Sequence, residues 1–204
     1  MRQNKDLSAP LEFEQPETIV AMYFDASLRA RKRWRESGDS FFKKEEYITS
    51  VFMALAGFEA FLNCYFSVVA NELKSRNQEK IIKLCNDRFC SLIEKARKLP
   101  LLSFNADVSK FGRIFDDIDS FIKIRNELMH LKHTWKSVEV GNIRIEGLIT
   151  PFSICSGKHT DPLYLIITIR KYIKNVFRLA GVTNTRHFID RWTKHISRWR
   201  VPQY

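Results

Sequence analysis

Apolar residues recur at helical spacing along most of this chain. From Pro16, a residue suited to a first helical turn, positions 19, 20, 23, 24 and 28 carry an apolar line that gives way to Arg29, Arg31, Lys32, Arg33 and Arg35, predicting a helix over about 16–36. Gly38 closes it, and Asp39 or Ser40 can cap a second helix that runs to about residue 75 and is almost wholly apolar in its second half. A third helix is predicted over about 78–98 from Ile81, Ile82, Leu84, Cys85, Phe89, Leu92, Ile93 and Ala96, stopping before Pro100. A fourth follows Asp107 or Ser109, both plausible caps, and has the most regular period in the chain, from Phe111 through Ile118, Phe121 and Ile122 to Leu131. The period then changes from helical to alternating. Val138, Val140, Ile143 and Ile145 flank Gly141-Asn142, which predicts a short β-hairpin over about 137–147. Helices resume over about 161–180, with Pro162 in a first-turn position, and over about 184–200. The expected fold is an all-α bundle of about five to six helices with a β-hairpin insertion near 137–147; residues 1–15 form an N-terminal tail and 16–200 a single domain.

The second helix invites a membrane test, because Val51 to Ala70 is 20 residues long and mostly apolar. Glu59, Asn63 and Ser67 recur every four residues as one polar stripe. A carboxylate at mid-membrane costs about 2.5–3.5 kcal/mol, so a buried core helix and no membrane association are expected.

Composition agrees with long helices. Seven glycines and six prolines in 204 residues are roughly half the ordinary combined usage. With 34 Lys and Arg against 23 Asp and Glu, the net charge is +11, and 45% of residues are hydrophobic, the profile of a soluble basic protein. Cys64, Cys85, Cys90 and Cys155 form no CxxC pair and lack a histidine at ligand spacing, so no metal site and no cofactor are expected. Most of these cysteines sit in apolar or helical contexts, which suits reduced thiols in a cytoplasmic protein, and the N-terminus has no apolar leader segment.

Chemistry concentrates on the fourth helix. There is no glycine-rich phosphate loop, GxSxG elbow or HExxH pair. Arg125, Asn126 and His130 instead fall within two turns of a mainly apolar segment, with Arg125 on the line of Phe111, Phe115, Ile118, Ile122 and Met129. A guanidinium on that face needs a partner. Glu59 is the only charged residue between Val51 and Ala70, with Asn63 one turn on, and is the predicted partner of Arg125, the network being completed by Asn63 or Asn126. Arg125 and His130 lie about 140° apart around the helix axis, so one chain alone does not bring them together easily.

The run Arg125-Asn126-Glu127-Leu128-Met129-His130 resembles the R-x4-6-H motif of HEPN domains, including the polar residue after the arginine, and AGFEAFLN on the preceding long helix is similar to the corresponding HEPN helix. The likeness spans roughly residues 40–132. It implies a helical bundle that forms a homodimer through the motif helices and, in many members, a metal-independent endoribonuclease of toxin–antitoxin, anti-phage defence or RNA-processing systems. On that resemblance His130 is the acid/base, Arg125 stabilises the phosphate, Asn126 orients one of them, Glu59 and Asn63 support them, RNA is the substrate, and a protein inhibitor or other protein partner fits such systems. A twofold axis would place two copies of each residue in one cleft. Lys132 stands where members silenced by a nucleotidyltransferase commonly carry a tyrosine, a departure from that subgroup. His133, one turn beyond His130, is expected to face solvent.

Two plainer alternatives stand beside this. Arg125 and His130 can be an ordinary structural ion-pair residue and a polar-face histidine, and a non-catalytic HEPN module would bind RNA, a nucleotide or a protein partner without cleaving. A DNA-binding regulator is disfavoured, since no helix–turn–helix spacing stands out. The basic segments 29–35 and 186–200 interleave Arg and Lys with Trp34, Trp192 and Trp199, offering Arg31, Arg33, Arg35, Arg191, Lys194 and Arg198 as RNA contacts. Phe188, Trp192, His195 and Trp199 equally form the stripe of a docked helix.

Overall fold

A computed structural model describes residues 15–73, 77–129, 135–140, 143–149 and 161–193. Helix α1 (Pro16–Glu36) begins with Pro16 and Glu17 in its first turn, where a missing amide and a negative charge are both tolerated. After a three-residue connection Asp39 accepts from the Phe42 amide at 2.7 Å and caps α2 (Ser40–Leu73). The two helices run antiparallel: Arg33 reaches Glu46, Ser27 meets Ser50, and Phe24 faces Gly57. Their crossing is close because its residues are small. Ser27 Oγ donates to the Ser50 carbonyl at 2.6 Å and Ser50 Oγ returns a bond to the Ser27 carbonyl at 2.8 Å. A Cβ on Gly57 would stand 2.9 Å from Tyr23 Cβ and 3.3 Å from the Phe24 ring.

Helix α2 is the central element, in contact with α1 and with four later helices. It is long and apolar enough to cross a membrane. Here Val51, Ala54, Leu55, Phe58, Phe61, Leu62 and Phe66 are buried against the other helices.

The predicted third helix is two helices. α3 (Gln78–Asn86) stops where the Asp87 carboxylate accepts from the Phe89 and Cys90 amides, at 2.8 and 3.3 Å, a local turn that competes with helix. Ser91 then caps α4 (Leu92–Phe104) by accepting from the Glu94 amide at 3.2 Å. Phe89, predicted as an apolar helix position, is fully exposed on this corner. Nor does α4 stop before Pro100, which lies inside it. Proline cannot donate to the carbonyl four residues back. That carbonyl, of Ala96, accepts from the Tyr172 hydroxyl at 2.7 Å instead. The helix ends at Asn105, whose φ of +48° is left-handed.

Asp107 caps a 3₁₀ turn over Val108–Phe111, and Gly112, at φ +58°, allows the chain to restart as α5 (Ile114–Met129). Strands β1 (Trp135–Val140) and β2 (Ile143–Ile149) pair antiparallel, with Val138 opposite Ile145, Val140 opposite Ile143 and an irregularity between Lys136 and Val138. Gly141-Asn142, the predicted turn, lies outside the described residues. Asp161 caps α6 (Pro162–Leu179) through the Leu163 amide at 2.8 Å, and α7 (Thr185–Thr193) packs against α1 and α6. The body is all-α, with seven α-helices among the described residues rather than the five to six expected, the excess coming from the break at Asp87. The predicted tail up to residue 14 and the end of the last predicted helix beyond Thr193 lie outside the described residues.

Candidate functional site

Helix α5 enters the core with Ile114, Phe115, Ile118 and Phe121 and leaves it in its last turns, where Ile122 and Arg125 are half-buried and Asn126 is exposed. The fourth predicted helix therefore presents Arg125 at the edge of the bundle, not in its interior. Its Nε and Nη2 both donate to the Asn126 side-chain oxygen, at 3.3 and 3.1 Å. No carboxylate among the described residues neutralises it. His130, the other half of the motif, lies outside the described residues.

The predicted pairing of Glu59 with Arg125 is replaced by another. Glu59 and Asn63 lie on one face of α2, as their spacing requires, but they converge on Lys95 of α4. The Lys95 ammonium donates to Asn63 Oδ1 at 3.3 Å and to the Cys85 carbonyl at 3.0 Å, and sits 3.8 Å from Glu59 Oε1. Lys95 is only 2% exposed. A buried ammonium needs acceptors for its protons, and the polar stripe of α2 with the last turn of α3 supplies them. The stripe thus serves a buried cation that sequence reasoning missed. The signal was present, since Lys95 falls on the line of Leu92, Ala96 and Leu99 that α4 buries.

Most of the proposed RNA contacts on α1 and α7 are internally paired. Arg31, only 3% exposed, clamps Asp161 with Nε at 2.6 Å and Nη2 at 2.7 Å, so it is a structural link between α1 and the start of α6 and not a surface RNA contact. Like Lys95, it lies on its helix's buried line, below Val20, Phe24 and Leu28. Arg33 holds Glu46 with both arms at 2.5 and 2.9 Å, which drives its already basic guanidinium further up. Arg35 is exposed, Arg191 donates to Glu17, and Lys194 and Arg198 lie outside the described residues. The Trp192 of the predicted stripe is buried while Phe188 remains 39% exposed; His195 and Trp199 lie outside the described residues.

Other chemistry is weakly provided. Burial pushes the Cys64 and Cys85 thiols up, which holds them protonated and poorly nucleophilic at neutral pH. No group of three His, Cys, Asp or Glu side chains that could hold a metal occurs among the described residues. No family model, no curated protein and no solved structure matches this chain.

Proposed function

We propose that this protein is a HEPN-type, metal-independent endoribonuclease of the cytoplasm, acting as a homodimer paired through α5 in a toxin–antitoxin or anti-phage setting. The observation that carries the reading is the state of Arg125. Arg31, Arg33, Arg170 and Arg191 are each held by a carboxylate. Arg125 is braced by the neutral amide of Asn126 at the edge of the bundle, within the run that matches the R-x4-6-H motif. A guanidinium oriented by a neighbouring amide, with no carboxylate on it among the described residues, is suited to a phosphate.

The chemistry assigned is transesterification. His130 takes the proton of a ribose 2′-OH, the 2′-oxygen bonds to the adjacent phosphorus, the bond to the 5′-oxygen breaks, and that oxygen leaves with a proton, giving a 2′,3′-cyclic phosphate and a 5′-hydroxyl. Arg125 offsets the charge that builds on the phosphoryl oxygens. Two chains sharing a cleft would supply one histidine as base and another as acid, which also resolves the angular separation of Arg125 and His130. Glu59 and Asn63, which hold Lys95, take no part in this step.

The alternative, a non-catalytic module for a protein partner, is favoured by one feature, the exposed Ile19 and Met22 on the outer face of α1, 40% and 53% accessible. The test is RNA cleavage by the full chain and its Arg125→Ala and His130→Ala variants. The ribonuclease reading predicts at least about a hundredfold loss of rate in each, with RNA still bound by His130→Ala. Equal activity in all three, or none in the parent, would overturn it.

A further inference from the structure

A second concave feature, which the ribonuclease reading does not use, lies between the start of α1, the last turns of α2 and the corner from α6 to α7. It encloses about 290 Å3, near the lower end for small-ligand pockets. Its floor is aromatic. Trp192 and Phe177 are buried beneath it, and Tyr65 stands nearly perpendicular to both, with ring centroids 5.9 and 5.3 Å away. Phe188 lies 6.0 Å from Phe177 on the wall and is 39% exposed, while Val68, on the α2 side, is 50% exposed. At the rim Arg191 donates to the Glu17 carboxylate and, at 3.2 Å, to the Gln15 side-chain oxygen.

The charges at the rim select the class of ligand. Aromatic walls attract organic cations, but Arg191 opposes one here, and Glu17 opposes an anion. A neutral, flat molecule whose edge carries both donors and acceptors meets neither objection: its faces lie against the rings, and its edge meets a guanidinium and a carboxylate set side by side. We propose that this cleft binds a nucleobase, either of a free nucleotide or of an RNA strand. Base stacking on such rings is tolerant of sequence, and the donor–acceptor pair at the rim is what orients the base. The site is separate from Arg125 and does not depend on cleavage.

The test titrates adenosine monophosphate and a short oligoribonucleotide into the full chain carrying both Arg125→Ala and His130→Ala, so that RNA survives and the motif no longer holds it, with binding read by calorimetry and ligand-observed NMR. Two variants at exposed positions are compared: Phe188→Ala, which removes a wall, and Val68→Trp, which fills the opening. Saturable binding that weakens about tenfold in Phe188→Ala and disappears in Val68→Trp supports the site. Binding of the mononucleotide identifies a free nucleotide as sufficient, and binding of the oligoribonucleotide alone identifies a base within a strand. Binding of neither probe, or binding that both variants leave unchanged, would overturn the proposal.

Discussion

The Tyr172 hydroxyl of α6 donates to the Ala96 carbonyl of α4 at 2.7 Å, and Ala96 is the residue whose helical acceptor role Pro100 leaves open. Tyr172 and Ala96 are both fully buried, so water cannot substitute. Tyr172→Phe should therefore cost about 1–3 kcal/mol, the penalty of an orphaned buried acceptor. In a Pro100→Ala background the returned amide serves that carbonyl, and the cost of Tyr172→Phe should shrink. Urea unfolding of the four proteins measures the coupling; an equal cost in both backgrounds would contradict it.

Arg31 is the buried arm of a bidentate pair whose other member, Asp161, also caps α6. Arg31→Ala strands that carboxylate and should lower stability by about 3–5 kcal/mol. Arg29→Ala, two residues away, breaks an exposed pair with Asp25 and should cost less than about 1 kcal/mol. Thermal unfolding distinguishes the two. Similar losses would mean that Arg31 does not link α1 to α6.

Glu59 and Lys95 share an ion pair unequally, with 47% of the Glu59 side chain exposed against 2% for Lys95. Glu59→Ala leaves the Lys95 ammonium its bonds to Asn63 and the Cys85 carbonyl, so it should cost less stability than Lys95→Ala and leave any RNA cleavage rate per folded molecule unchanged. Lys95→Ala strips the Asn63 oxygen and the Cys85 carbonyl of their donor and should be the more destabilising by a wide margin. Loss of cleavage in a folded Glu59→Ala protein would return Glu59 to the catalytic network.

Alkaline pH should unfold the protein through its buried phenols. Burial pushes Tyr65 up to about 12 and Tyr172 well above the ordinary tyrosine value. The folded state thus holds these protons more tightly than the unfolded chain, where a phenol ionises near pH 10. Their contribution is complete below about pH 10 and is lost as pH rises through about 12. Denaturant midpoints measured across that window should fall, and the share of the phenolate absorbance that belongs to Tyr65 and Tyr172 should appear only on unfolding. A midpoint independent of pH there would contradict the burial of both rings.

The helical period made α1, α2 and α6 legible almost to their ends, because each buries a continuous apolar line that a one-dimensional pattern records; the start predicted for the fourth helix falls instead in the 3₁₀ turn Val108–Phe111, and α5 begins at Ile114 beyond Gly112. The break at Asp87 was missed because the apolar period runs through it, whereas the side chain's turn bonds to Phe89 and Cys90 are local and polar. Pro100 misled in the opposite direction, since its tolerance inside α4 depends on Tyr172, 72 residues further on. The polar island on α2 was recognised but given the wrong cation. Arg125 and Lys95 both lie on apolar lines, and only the packing of α4 against α2 and α3 decides which of them is buried. In the same way Arg31 looked like one member of a basic surface run, although its place below Phe24 and Leu28 already marked it as inward-facing.

Metal-independent cleavage of RNA by Arg125 and His130 is the proposal on which the other functional predictions depend. The most direct measurement incubates the purified full-length protein with RNA in excess EDTA and determines the chemistry of the product ends, beside the His130→Ala variant. The parent protein should leave 2′,3′-cyclic phosphate and 5′-hydroxyl ends, and the variant should leave the RNA intact. Intact RNA from both, or cleavage that stops on chelation, would contradict it.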